Sequence, residues 1–491
     1  MTLAASISRR FLTTALLVAG TALSSPIAHA QQTVDRSTPP ALGPTPSIRM
    51  NPVQKFSLKN GLRVIVYEKH EVPIVQMSLV VRAGNVDEPA DRLGLAGMTA
   101  NMLDEGAGGK SSLELADAID YLGTTISTYG GIQTSSVSMR STVSKLDESL
   151  KLFADVALRP DFPASDLERL RKQSLTSLLQ AYDQPRIIAN IASGPIVFGK
   201  EHPYGRISTG TEQSLKAMSV EDLKKFYSTH YRPNNAFLVV VGDVKAKEIV
   251  QKLEKAFGTW ARKTVDAASV PRATQVSGRK IYLIDKPDAA QSVIRICRVG
   301  TDRKTEDYFP LIVMNTILGG SFSSRLNLNL REHHHFTYGA SSFFSLRLSA
   351  GAFTAAADVQ TDSTVQAMRE FMKELAAISA PVTDEELTRA KNYLALGYPD
   401  NFSNVASIAG QLEEMTTYDL PETYFTTYID RVLAVTKDDV ERAAKKYVDA
   451  ENLAIIIVGD RAKIEPGLAA AKIGEIVPMS VVEALGPMPK P

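Results

Sequence analysis

The apolar and polar positions of this chain change period repeatedly, and each change marks an element. Phe56 and Leu58 lead into Asn60-Gly61, after which the run Leu62-Arg-Val-Ile-Val-Tyr67 resumes. That pattern predicts two strands joined by a type I′ turn, with Asn-Gly supplying the positive φ angles. Strand-like runs follow at 74–82 and 134–140. Between them Leu115, Ile119 and Leu122 recur at helical spacing as far as Gly123. Leu146, Leu150, Phe153 and Ala157 mark a further helix, which Pro160 ends.

The two halves of the chain repeat one another. Ser219 to Asp243 aligns without a gap on Thr436 to Asp460, each reading as a capped helix, a short loop, an apolar strand and a Gly-Asp turn. Upstream, Pro163-Ala-Ser165-Asp-Leu-Glu168 matches Pro381-Val-Thr383-Asp-Glu-Glu386, and both read as capping boxes. The spans Ser165 to Gly242 and Thr383 to Gly459 differ by one residue. This is an internal duplication, with units too long for a solenoid. Hairpin-connected strands mixed with long helices predict an α+β class: two duplicated domains, each a mostly antiparallel sheet packed with helices. The domains expected are 51–262 and 279–491, joined by a linker over 263–278 that is rich in Val, Ala, Ser and Thr without a clear period. Two like domains with a joint suggest a cleft or chamber.

Composition narrows the picture. Of 491 residues 44% are apolar and 22% charged, which excludes a largely disordered chain, a collagen and a polytopic membrane protein. The 55 basic and 54 acidic residues leave +1, so no overall field recruits nucleic acid. Cys297 stands alone, which excludes an intramolecular disulfide and a cysteine-based zinc cluster; within the apolar strand 291–298 it reads as a buried small hydrophobe.

Residues 1–30 carry Arg9-Arg10, an apolar run from Phe11 to about Ser24, and Ala28-His29-Ala30. That is a secretory signal peptide, with cleavage expected after Ala30 and a bacterial periplasmic location. Ser8-Arg9-Arg10-Phe11-Leu12 lacks the residue that usually separates the arginines from the phenylalanine in a twin-arginine signal, so both export routes stay open. Residues 31–50 read as a flexible lead-in, and no membrane anchor is expected after cleavage.

The run Arg82-Ala-Gly84-Asn-Val-Asp-Glu88-Pro89, then Gly94-Leu95-Ala96, then Met102-Leu103-Asp-Glu-Gly106, resembles the start of the insulinase or pitrilysin family of inverted zinc peptidases. So does Leu318-Gly-Gly-Ser-Phe-Ser-Ser-Arg325-Leu326, followed by Leu330-Arg331-Glu332 and Tyr338-Gly339. The resemblance implies duplicated α+β domains that form half of a clamshell-like chamber of peptide size. Active members carry H-x-x-E-H directly after Gly-Leu-Ala, two imidazoles holding zinc and the carboxylate activating its water. Here those positions are Gly97, Ala100 and Asn101, and the helix that supplies a third glutamate in active relatives contains no acid after Glu168. No metal is therefore expected in this chain.

The resemblance also implies that Arg331 and Tyr338 face a zinc across the chamber. An arginine fork can hold a peptide carbonyl or carboxylate, and a tyrosine hydroxyl can donate to the oxyanion of the tetrahedral intermediate. The expectation is a substrate-binding subunit of a heterodimeric zinc peptidase. A partner of the same fold would carry the zinc, and this chain would supply Arg331 and Tyr338 in trans. The rival reading is a non-enzymatic scaffold or peptide-binding protein of the same fold. Other candidates carry less. His333-His334-His335 cannot converge on one ion from consecutive helical positions and reads as solvated or chamber-lining, an adventitious metal site being the alternative. His202-Pro-Tyr204-Gly205 and His230 read as structural, Asp104-Glu105 as an exposed helix end, and no G-x-S-x-G elbow suggests a serine hydrolase.

Overall fold

Two six-stranded sheets share one strand order. In the computed structural model, which describes residue 43 and residues 45–489, the first sheet is built from β1 (Gln54–Ser57), β2 (Arg63–Glu68) and β3 (Ile74–Val81). A two-stranded ribbon follows, β4 (Gly106–Ala107) with β5 (Lys110–Ser111); then β6 (Thr125–Gly130), β7 (Ser135–Thr142) and β8 (Ala236–Gly242) complete the sheet. The second sheet comprises β9 (Arg279–Asp285), β10 (Gln291–Val299), β11 (Thr337–Phe344), β12 (Ala352–Gln360), β13 (Leu453–Gly459) and β14 (Glu475–Met479). Their orders are β1-β2-β8-β3-β7-β6 and β14-β9-β13-β10-β12-β11. Leaving out the outermost β1 and β14, the five remaining strands correspond one to one along the chain. In each set a single parallel pair, β2–β8 or β9–β13, is followed by antiparallel pairs. The duplicated α+β architecture is thus present in both halves. The expected signal peptide lies outside the described residues.

The central strands β8 and β13 read Ala-Phe-Leu-Val-Val-Val-Gly and Leu-Ala-Ile-Ile-Ile-Val-Gly because both of their faces are covered. What covers them joins the halves. The helix Pro185–Phe198, from the first half, packs on β10 and β13 of the second sheet. The helix Val405–Thr417, from the second half, packs on β3 and β8 of the first. Ile188, Ala189 and Ala192 are buried with Val293, Cys297 and Ile456. Ile408, Leu412 and Met415 share a core with Ile65, Tyr67, Val239 and Val241. Residues 261–277 between the halves form no helix or strand, yet they are pinned. Gln275 donates from Nε2 to the Val299 carbonyl at 2.8 Å and accepts the Val299 amide at 3.1 Å, as a neighbouring strand would.

Two local expectations are corrected. The first hairpin forms, with Ser57 opposite Arg63, but its turn is not type I′: Gly61 has φ +87° and Asn60 does not enter the positive region. Asn60 instead turns its side chain inward, donating to the Phe257 and Trp260 carbonyls and accepting the Leu62 amide. Ser165 is likewise no cap. The N-cap of the helix Ala164–Ala181 lies two residues earlier, at Pro163, whose carbonyl accepts the Leu167 amide at 3.1 Å. Its counterpart Thr383 does close a capping box with Glu386.

Candidate functional site

The helix Leu95–Asn101, which bears the three lost zinc positions, is held by the family-like run before it. Gly94, its N-cap, has no side chain, so Glu88 takes over the orphan amides: it accepts Gly94 N at 3.0 Å and Ala96 N at 2.7 Å, with Asn85 Nδ2 at 2.8 Å. Burial pushes the Glu88 carboxyl up to about 7. Opposite the helix, β6 passes so close that a Cβ on Gly130 would stand 2.8 Å from the Ala96 carbonyl oxygen. A Cβ on Gly97 would meet nothing within 4 Å, Asn101 is exposed, and Ala100 is fully buried. These three positions offer one neutral amide between them. Glu168 of the long helix is engaged with Arg171 at 3.0 Å, and no acid follows it on that helix. Among the described residues no three His, Cys, Asp or Glu side chains group as a metal site. The residues present do not fit a zinc ion.

Asp104 and Glu105 are not the exposed helix end that the sequence suggested. The helix ends before them, Asp104 is half-buried with its carboxyl pushed upward by desolvation, and Glu105 accepts Arg169 Nη2 at 2.5 Å and Ser112 Oγ at 2.8 Å. Glu105 thereby anchors the long helix through Arg169.

Arg331 and Tyr338 come together in the second half. The chain after Arg325–Asn327 widens into one turn of π-helix, Leu328–His333, which carries Arg331. The Arg331 guanidinium lies 4.8 Å over the Phe322 ring, with Nε 3.2 Å from Glu332 Oε1. His335 then reverses the backbone at φ +57°, its amide and Nδ1 both directed at the Arg331 carbonyl. Tyr338 follows on β11, where register slips between Thr337 and Ala340. Thr337 Oγ1 clamps that bulge between the Asp358 carbonyl at 2.8 Å and the Gly339 amide at 3.1 Å. The bulge turns Tyr338 outward, leaving it 90% exposed. Arg331, Tyr338, His335, Gln291 and Gln360 line one open groove of about 400 Å³.

The other histidines diverge. His334 stacks on Phe336 with centroids 5.0 Å apart, while His333 and His335 are exposed. His202 accepts the Tyr204 amide on Nδ1 and sets Nε2 3.0 Å from the Pro271 carbonyl; a Cβ on Gly205 would fall 1.9 Å from the Gly199 oxygen, so this loop is packing. His230 leans on Phe226, and burial lowers its pKa. Cys297 is buried, its thiol pKa raised by desolvation. Sequence reasoning passed over three arginines, Arg206, Arg295 and Arg347, that meet at the seam between the halves. Only Arg295 left a signal, a charge inside an apolar strand that also carries Arg298.

Comparison with known proteins agrees with the fold and with the family resemblance. Residues 63–192 match the profile of the insulinase family, peptidase family M16, and residues 217–394 match that of the peptidase M16 inactive domain. An uncharacterized zinc protease of Rickettsia felis is 25% identical over 338 residues, 69% of this chain and 81% of that protein. The non-peptidase homolog YmxG of Helicobacter pylori is 22% identical over 414 residues, 82% of this chain and 92% of that protein. The crystal structure of a peptidase M16 inactive domain from Pseudomonas fluorescens superposes with a TM-score of 0.78 at 26% identity, covering 83% of this chain and 98% of that one. The chain belongs to the insulinase family, as a member without the family's zinc motif.

Proposed function

We propose that this chain is the substrate-binding subunit of a two-chain periplasmic zinc peptidase. One observation carries the reading: the zinc positions are lost on one half, while Arg331 and Tyr338 share a groove on the other. The partner has the same fold, keeps H-x-x-E-H, and faces this groove across the chamber. Arg331 binds a backbone carbonyl or carboxylate of the peptide, its fork aligned by the ring of Phe322. Tyr338 donates its hydroxyl to the oxyanion formed when water adds to the scissile carbonyl. The partner's zinc supplies and activates that water. The exposure of Tyr338 supports the reading, since a bulge clamped by Thr337 holds a large aromatic ring away from the core. In the scaffold alternative neither side chain has a task.

The test is purification of the tagged chain from its native periplasm. The expected result is a mature chain beginning at Gln31, with a second chain of the same fold bearing H-x-x-E-H and one zinc per pair. Recovery of the chain alone, or with partners that lack a zinc motif, rejects the proposal.

A further inference from the structure

A cavity of about 360 Å³ lies on the seam between the halves and shares no lining residue with the Arg331–Tyr338 groove. The exchanged helix Pro185–Phe198 and the segment 203–209 form one wall; β10, β11, β12 and the loop joining the last two form the other. Its size suits a small organic ligand. Among the described residues three guanidinium groups line it, those of Arg206, Arg295 and Arg347, and no Asp or Glu does.

The three are not equally engaged. Arg295 shares the Asp358 carboxylate with Arg186: its Nη1 reaches Oδ1 at 3.1 Å, while Arg186 Nε takes Oδ2. Arg206 donates to the backbone carbonyl of Glu88 at 3.1 Å; the Glu88 carboxyl is taken up by Gly94, Ala96 and Asn85. Arg347 lies 4.5 Å over the Tyr204 ring, and its buried Nη1 has no hydrogen-bond partner. The ring offsets only part of the desolvation cost of that buried donor, and an anionic acceptor would relieve the rest. The seat is rigid: Tyr204 Oη accepts Gln133 Nε2 at 2.6 Å and Ser349 N at 3.3 Å, and the Arg347 carbonyl accepts Arg303 N at 2.8 Å.

We infer that this cavity binds a carboxylate-bearing ligand, with Arg347 as the fork that takes the carboxylate and Arg206 as the second cation. A carboxylate on an organic body matches the site better than a phosphate, because Ile191 and Phe343 among the lining residues give that body an apolar wall. A planar carboxylate also fits the two parallel donors of a guanidinium. The carboxylate belongs either to a free organic acid or to the C-terminus of a short peptide. The inference is independent of any partner chain.

Calorimetry on the purified full chain tests it, using N-acetyl-leucine, acetyl-Ala-Ala-Leu, the C-terminal amide of each, and inorganic phosphate. The expected result is binding of at least one acid, with its amide weaker by about tenfold or more, since the charge-assisted fork is lost. Tighter binding of the tripeptide acid assigns the carboxylate to a peptide terminus; tighter binding of N-acetyl-leucine assigns it to a free acid. Arg347→Met should weaken the acid by about tenfold with little change in Tm, because the lost contact with the Tyr204 ring is offset by removal of a buried donor without an acceptor. If that variant fails to fold, Arg347→Lys, which keeps the charge and loses the fork, must weaken binding at unchanged Tm. Equal affinity for acid and amide, binding of phosphate alone, no binding at all, or wild-type affinity in the folded variants overturns the inference.

Discussion

Arg325 grips Glu386 at two points, Nε to Oε1 at 2.6 Å and Nη2 to Oε2 at 2.9 Å. The same carboxylate closes the capping box of the helix Asp384–Gly397, accepting the Thr383 amide at 2.9 Å. One glutamate thus ties the segment that leads to Arg331 onto a long helix of the second half. The Arg325 fork, helped by Thr383, holds its carboxyl at about 2 against an ordinary 4.5. Between those values the folded chain binds fewer protons than the unfolded one. The stabilisation is therefore complete above about pH 4.5 and is lost as pH falls toward 2. Glu386→Gln should cost about 1–3 kcal/mol at pH 7, between the values for an exposed and a fully buried pair. Urea unfolding at several pH values should show the deficit shrinking below pH 4.5. A deficit independent of pH would mean that the pair is not the source.

The exchange of the helices Pro185–Phe198 and Val405–Thr417 has its own consequence. Each half keeps an apolar sheet face that only the other half covers, so the halves should unfold together. A thermal scan should give one transition, and residues 51–262 expressed alone should be aggregated or molten. Leu412→Ala, at a fully buried position in the exchanged helix, should cost about 2–5 kcal/mol and leave the transition single. Two resolved transitions in the intact chain would contradict this.

The repeat in the sequence disclosed the duplicated sheets because β8 and β13 are buried on both faces and must read as continuous apolar runs. It did not disclose the helix exchange: the apolar stripe of a helix says that it is covered, not by which sheet. Asn60-Gly61 marked a turn correctly, yet its type was decided by distant carbonyls of Phe257 and Trp260 that claimed the asparagine side chain. Glu105 looked exposed because its partner Arg169 lies 64 residues away. The lost zinc residues were legible one by one, since their chemistry is absent from the side chains themselves. Arg347 was not legible at all, because its isolation is a property of the seam and not of any local pattern.

The chain by itself should bind no stoichiometric zinc, and rebuilding the motif should not make it an enzyme. In the triple variant Gly97→His, Ala100→Glu, Asn101→His, the two imidazoles have room, with open space at Gly97 and exposure at Asn101. The glutamate does not, because Ala100 is fully buried. Overpacking there should cost about 1–3 kcal/mol, before the added burial of charge. The long helix still offers no third carboxylate. Metal analysis after dialysis should find well under one zinc per variant chain, with no chelator-sensitive proteolysis. One tightly held zinc in the unmodified chain would refute the account of the site.

Tyr338 and Arg331 separate the peptidase-subunit reading from the scaffold reading, because they should fail in different ways. Tyr338→Phe removes one hydroxyl from a side chain that is 90% exposed, so the fold and the partner's zinc should be untouched. If that hydroxyl donates to the oxyanion, its loss should lower kcat by about 10²–10³, or about 3–4 kcal/mol of transition-state stabilisation. If Arg331 anchors the peptide, Arg331→Ala removes a charge-assisted contact that acts on the ground state and the transition state alike. It should chiefly raise KM and leave kcat near its normal value. The guanidinium rests on Phe322, so Phe322→Leu should reproduce part of the KM effect by loosening the fork without removing it. These measurements need the reconstituted pair, with zinc content and chain stoichiometry checked for each variant. Full activity in both Tyr338→Phe and Arg331→Ala at normal zinc occupancy would make the pair ordinary surface and leave the scaffold reading standing.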